Sequence, residues 1–340
     1  MRFYFKIIIF ICALGSGVDA SAQSDSSVAG LIKQGVELNN QKKYPEAAES
    51  YKAALALEPD NVQANYQMAF TLFSAGKNKE ALPFIEKASK GNNPKFTAAA
   101  YSLMGSIYQS VNQLPNAVNA YKNAIKADGS NQRIYYNLGI AYFKGKLYGE
   151  AEQTFATAIE LDSSDAGSTR MYALSAFHQN KRAEATFGFC RFLMLEPNTP
   201  RSAEVYGNLQ NILQGGVLKP EPGYREPRDM SSADPGNKVL TKALAGVANR
   251  KYATSADLLA AQLKSIFNAV GNIPVEKYAF WQSLATYFGQ LTASNNLPTF
   301  ARYISQSAKP ESAKWLKDNP DKLSALKNWV AVTKPAFKVL

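Results

Sequence analysis

The sequence predicts an all-α chain: a solenoid of five stacked helical hairpins with a capping helix, followed by a separate small helical domain. Three features carry this. A 34-residue pattern of small and large apolar residues recurs five times between Val28 and Thr199, its key positions are spaced by three, four and twelve, and a proline-rich stretch at 216–236 interrupts it for good. Spacings of three and four place residues on one face of a helix, and a fixed period of this length marks stacked supersecondary units.

The copies span 28–61, 62–95, 98–131, 132–165 and 166–199. Their eighth place holds Gly35, Ala69, Gly105, Gly139 and Ala173. Twelve residues on stands Ala47, Ala81, Ala117, Ala151 or Ala185, and four further on a large group, Tyr51, Ile85, Tyr121, Phe155 or Phe189. The next small site reads Ala54, Ala88, Ala124 and Ala158, broken only by Phe192. Small residues facing each other would let paired helices approach, with the large residue filling the groove beside them. Gly76-Lys77-Asn78, Gly145-Lys146 and Gln179-Asn180-Lys181 fall where turns within a hairpin belong, and Pro59, Pro94 and Pro197 read as the ends of copies. Phe96-Thr97 reads as a two-residue insert, and copies two and five lack an aromatic at the fourth place, having Asn65 and Thr169.

This pattern resembles the tetratricopeptide repeat, over about half the chain. The resemblance implies antiparallel helix pairs stacked into a curved solenoid, and a protein or peptide ligand held on the inner face of the first helices. By the same resemblance the inner face is lined from the second, fifth, sixth, ninth, twelfth and thirteenth places. Here those give Gln63, Tyr66, Phe70 and Phe73 in copy two; Arg133, Tyr136, Asn137, Ile140 and Phe143 in copy four; and Arg170, Leu174 and Phe177 in copy five. Copy three is smaller and more polar there, with Ser102, Ser106 and Gln109. Aromatic walls with two arginines suit a peptide or helix whose acidic group meets Arg133 or Arg170, although Phe70, Phe73, Ile140 and Phe143 equally suit packing against the next repeat. The lysine clamp by which some members hold a C-terminal carboxylate is not matched, because copy one has Ile32 and Val36 at the relevant places.

Upstream, residues 1–22 read as a signal peptide: Arg2 and Lys6, the apolar run Ile7–Leu14, then Ala20-Ser21-Ala22 before Gln23. Bulky residues around Cys12 argue against a lipid anchor. The expectation is an exported protein, periplasmic rather than fully secreted. Cys190 is then the only cysteine of the mature chain, which leaves no internal disulfide.

Downstream, Arg201–Gln214 has the spacing of a helix that caps the array (200–215), and 216–236 reads as a linker with Pro220, Pro222, Pro227 and Pro235. From 237 to 340 helices are expected near 238–250, 254–270, 274–293, 298–307, 310–317 and 320–331, with Pro274, Pro298, Pro310 and Pro320 in first turns. Most of the net charge of +11 lies here: 14 Lys and Arg stand against 5 Asp and Glu. Together with Trp315 and Trp329 this raises a second reading, docking on anionic lipid or cell-wall polymer. Nucleic acid is not expected as a partner of an exported chain.

No catalytic residue, metal or cofactor is assigned. His178 and Cys190 lack an orienting third group and read as a surface histidine and a semi-buried thiol; one His and one Cys make no metal cluster. Glu150 and Glu152 read as solvated charge on the outer surface.

Overall fold

The computed structural model describes residues 27–215, 235–270 and 280–337, and among them there are seventeen α-helices and no strand. The residues expected to form a signal peptide, nearly all of the expected linker and Pro274 lie outside the described residues. Five hairpins come first: α1 (Val28–Asn40) with α2 (Tyr44–Leu57), α3 (Val62–Ser74) with α4 (Asn78–Ala88), α5 (Pro94–Ser110) with α6 (Leu114–Ala127), α7 (Gln132–Lys144) with α8 (Tyr148–Leu161), and α9 (Ala166–His178) with α10 (Arg182–Leu195). Each helix packs on its hairpin partner and on the helix that follows.

Each first helix opens on a side-chain cap, supplied in turn by Ser27, Asn61, Asn93, Asn131 and Asp165; Asn61 Oδ1, for example, accepts from Ala64 N–H at 2.9 Å. Such caps satisfy amide donors that have no partner within the helix. The second helices have none, because a tight turn delivers the chain directly into them. That turn needs one left-handed residue, found at Lys42, Gly76, Asn112, Lys146 and Asn180, with φ between 57° and 76°. The following N–H then returns to a carbonyl five residues back, as Lys43 to Leu38 (2.9 Å) and Leu147 to Tyr142 (3.0 Å), which closes the end of the first helix.

The large residue at the hairpin interface lies on the glycine itself, not in a groove beside two facing small residues. A Cβ placed at Gly139 would come within 2.6 Å of the Phe155 ring, and one at Gly105 within 2.6 Å of Tyr121. In copy two, where alanine stands, the opposing residue is the slimmer Ile85. In copy five the missing methyl has moved to α10, where a Cβ on Gly188 would meet that of Ala173 at 2.7 Å.

Copy three departs from the expectation. Pro94 opens α5 instead of closing copy two, and Phe96 and Thr97 belong to an added first turn of that helix, capped by Asn93. Proline fits there because its absent N–H would have had no helical partner. Helix α4 is correspondingly short, at eleven residues. The Phe96 ring packs on Tyr66 at 5.1 Å, and Thr97 Oγ1 donates to the Gly91 carbonyl at 2.7 Å, so the surplus is absorbed by packing.

Beyond the array come α11 (Pro200–Leu213), α12 (Pro235–Ala248), α13 (Ser255–Val270), α14 (Phe280–Ala293), α15 (Leu297–Ser305), α16 (Pro310–Asp318) and α17 (Pro320–Val332). Pro298, Pro310 and Pro320 stand in first turns, as expected. Buried apolar residues form two clusters that meet in copy three: one runs from Ile32 to Ala120, the other from Ala98 to Leu326. The C-terminal helices thus share a core with the later repeats. Their anchor is α10, buried on almost every side: Phe187 stacks on Phe267 (5.4 Å) and Trp281 (6.3 Å), and the Arg191 guanidinium lies over the Tyr287 ring (5.5 Å) while donating to the Ser163 carbonyl (3.1 Å).

Candidate functional site

The inner face of α3, α5 and α7 carries an open groove of about 540 Å³. Positions 66 and 70 on α3, and 133, 136 and 137 on α7, recur at helical spacing on the face each helix turns inward. Five of the residues expected on sequence grounds meet here: Tyr66 and Phe70 on one wall, Arg133, Tyr136 and Asn137 on the other, with Ser102 and Ser106 between them. Phe70 is 38% exposed, unusual for so large an apolar side chain. Burial raises the pKa of Tyr66 above the ordinary tyrosine range, so its hydroxyl stays protonated at neutral pH. Tyr136 holds its ring edge against Phe155 (5.9 Å) in the space that Gly167 leaves by lacking a side chain.

Charge in the groove is one-sided. Arg133 is exposed and has no ion-pair partner among the described residues, and no carboxylate lines the groove. The Asn137 side chain, half-exposed, makes no hydrogen bond within the described chain. A guanidinium, an amide and the Ser102 hydroxyl therefore line the opening between aromatic walls, while the Ser106 hydroxyl is bonded to the Ser102 carbonyl (3.1 Å) and the Tyr121 hydroxyl (3.0 Å).

The other expected residues lie elsewhere. Gln63 is exposed at the start of α3, outside the cavity. Phe73 and Ile140 are half-buried against the core, as is Leu174. Phe143 sets its edge on Tyr148 (5.1 Å) and His178 (5.3 Å). Phe177 is 3% exposed and packs edge-on against Phe189 at 5.6 Å, which makes it a core residue. Arg170 already has an acid: its Nη2 donates to both carboxylate oxygens of Glu204 on α11, each at 3.0 Å. Conversely, Ala99 and Leu103 line the groove from the second and sixth places of copy three, where the repeat rule puts them, while Asn131 and Ile134 line it from places the rule does not mark.

Two further readings need correcting. Glu152 is not solvated charge: it is nearly buried, accepting from Gln179 Nε2 (2.8 Å) and Lys181 Nζ (2.6 Å) across to the next hairpin. His178 is half-buried, stacked on Tyr148 at 4.5 Å, and Cys190 is fully buried in α10, where desolvation pushes its thiol far above the usual range.

Three family models match the chain within the array: one described as TPR repeat at 98–145, and two described as tetratricopeptide repeat at 38–107 and 132–165. Residues 38–165 are a tetratricopeptide-repeat segment. The matched residues stop before copy five, whose second helix is apolar nearly all round because the C-terminal helices cover it. The segment is 26% identical over 135 residues to human tetratricopeptide repeat protein 6, a stretch that is 40% of this chain and 25% of that protein. The chain thus spans about a quarter of the curated relative it matches. Among solved structures it is similar to MamA (20% identical, TM-score 0.47, 50% of this chain and 92% of that one). It is also similar to YrrB, described as a TPR protein with an unusual peptide-binding site (18%, 0.45, 51% and 88%), and to PilF of Pseudomonas aeruginosa (16%, 0.48, 56% and 86%).

Proposed function

We propose that this protein is an exported, non-catalytic scaffold that holds a peptide or protein segment in the groove of copies two to four, with an acidic group of the ligand on Arg133. The observation that carries the reading is the exposed Arg133, without an ion-pair partner among the described residues, facing Tyr66 and Phe70 across a groove that no carboxylate lines. Of the two arginines expected to meet that acid, Arg170 is committed to Glu204, so the acidic contact falls to Arg133. Affinity would come from apolar side chains against Phe70, Tyr66 and Tyr136, with Asn137 and Ser102 bonding the ligand backbone. A preformed curved wall spares the ligand part of its ordering cost.

Export rests on the basic, apolar and small-residue succession of residues 1–22. It is tested by sequencing the N-terminus of the protein from a periplasmic fraction, where a start at Gln23 is expected. Cross-linking in the native envelope, with mass spectrometry, identifies the partner. Against that partner Arg133→Glu with Phe70→Ala should weaken binding at least about tenfold, the scale of losing a central contact. Arg170→Ala should change it little. A double variant that retains every partner at full strength overturns the reading.

The second reading, docking of residues 237–340 on anionic lipid or polymer, keeps its exposed lysines but loses the aromatic anchors. Trp329 packs on Tyr287 (5.0 Å) and Trp315 lies beneath the Arg302 guanidinium (4.6 Å). It stands on charge alone.

A further inference from the structure

A second groove, of about 680 Å³, lies away from the repeat's inner face, where the start of α10 and the end of α11 meet the α12–α13 hairpin. Its floor is apolar: Leu213 from α11, Leu244, Ala245 and Ala248 from α12, and Leu258 from α13. The α12 positions follow the three-and-four spacing of a single helix face. Arg182 closes one end, its Nη2 donating to Thr241 Oγ1 at 3.0 Å.

Exposed cations flank the lining residues of α12 along the chain, without acid partners among the described residues. Lys238 and Lys242, one turn apart, are exposed on the flank of α12, and Arg250 and Lys251 follow its C-terminus. None of the four has an ion-pair partner among the described residues. The one carboxylate between 235 and 270, Asp257, is tied to Arg302 at 2.9 Å. A largely apolar trough beside a helix flank whose cations have no acid partner among the described residues fits a ligand with the opposite design.

We infer that this groove docks an acidic amphipathic helix of a partner protein, its leucine-sized residues seated on Leu213, Leu244 and Leu258 and its carboxylates on Lys238, Lys242 and the Arg250-Lys251 pair. The shape decides against a lipid surface, although the charge would suit one. A helix that binds an interface projects its apolar side chains outward. Here they recede into a concavity, and the large exposed apolar residues of the described chain, Leu57, Phe70, Leu147 and Val332, all lie off α12 and α13. The inference does not depend on the proposed function, since the two grooves share no residue.

The test uses the full mature chain and a fluorescent synthetic helix of about 14 residues, the length of α12, with leucines at helical spacing and flanking glutamates. Anisotropy should show binding that weakens with salt. Lys238→Glu with Lys242→Glu should weaken it about tenfold or more, as loss of two complementary charges does. Ala245→Trp, at an exposed floor position, should block it, while Lys264→Glu and Arg133→Ala leave it unchanged; circular dichroism melting confirms that each variant folds. Equal binding of a lysine-flanked counterpart, indifference to both the charge-reversal and the Ala245→Trp variants, or capture of phosphatidylglycerol vesicles in place of the peptide would each overturn the inference.

Discussion

One methyl group added at Gly139 would stand 2.6 Å from the ring of Phe155, which has no exposed surface and nowhere to go. Alanine is the better helix former by about 1 kcal/mol, but overpacking a filled core costs about 1–3 kcal/mol, and a contact this short belongs at the upper end. Gly139→Ala is therefore expected to destabilise by about 1–2 kcal/mol in denaturant unfolding. Adding Phe155→Ile, the pairing that copy two uses as Ala69 with Ile85, should recover part of the loss and appear as coupling in a double-mutant cycle. Cys190 makes a second residue-scale prediction. Burial favours the neutral thiol, so it should resist a thiol reagent in the native protein and react fully only on unfolding. The small-large alternation was legible in the sequence. That the ring sits on the glycine was not, because a residue's type does not say which atom it touches.

At the scale of the element, the turn within each hairpin is a backbone device. Four of the five left-handed positions hold Lys or Asn, which tolerate the conformation at some cost, and only copy two has glycine. No atom lies within 4 Å of a Cβ added at Gly76, so Gly76→Ala isolates the conformational term. Thermal unfolding should show a loss of about 1 kcal/mol, the left-handed penalty of a side chain. Three of the five turns, at Gly76, Lys146 and Asn180, were legible in the sequence, whereas the caps recur with the period but the apolar pattern did not mark them. The transfer of a turn from α4 to α5 was not legible, because it depends on whether Asn93 caps and where Phe96 finds a neighbour, Tyr66, on another helix. The same holds for the groove: the repeat rule marked Tyr66, Phe70, Arg133, Tyr136 and Asn137, but it marked Phe177 on equal terms, and only packing against Phe189 separates them.

At the scale of the whole molecule, the array ends by being covered. Helix α10 gives α9 one face and α12 and α14 another, and α11 is held between α10 and α15. A chain ending at Gly215 would expose the α10 surface that carries Phe187, Arg191 and Met194, now 0–5% accessible. An apolar face of that kind on a terminal repeat should bring concentration-dependent aggregation and binding of an apolar dye. Light scattering on the truncated chain checks this, and a monomeric, cooperatively unfolding product would show that the C-terminal helices are dispensable to the solenoid. Proline positions and helical spacing revealed the C-terminal helices to within about three residues where the ends are described, although Pro235, expected in the linker, opens α12 and the expected start of α14 lies outside the described residues. Nothing in them revealed the docking on α10, although the apolar run from Phe187 to Leu195, broken only by Arg191 and with Phe192 in place of the small residue, was a signal in hindsight.

What the sequence by itself determined is everything that repeats: the hairpins, their turns and caps, and the face each first helix turns inward, since these depend on residues three, four or thirty-four apart along the chain. Tertiary structure alone decided which charges remain free. Arg170 finds Glu204 and Glu152 finds Lys181, while Arg133, Lys238 and Lys242 find no acid among the described residues. Pairing of that kind is a matter of distance in space, and no spacing along the chain encodes it.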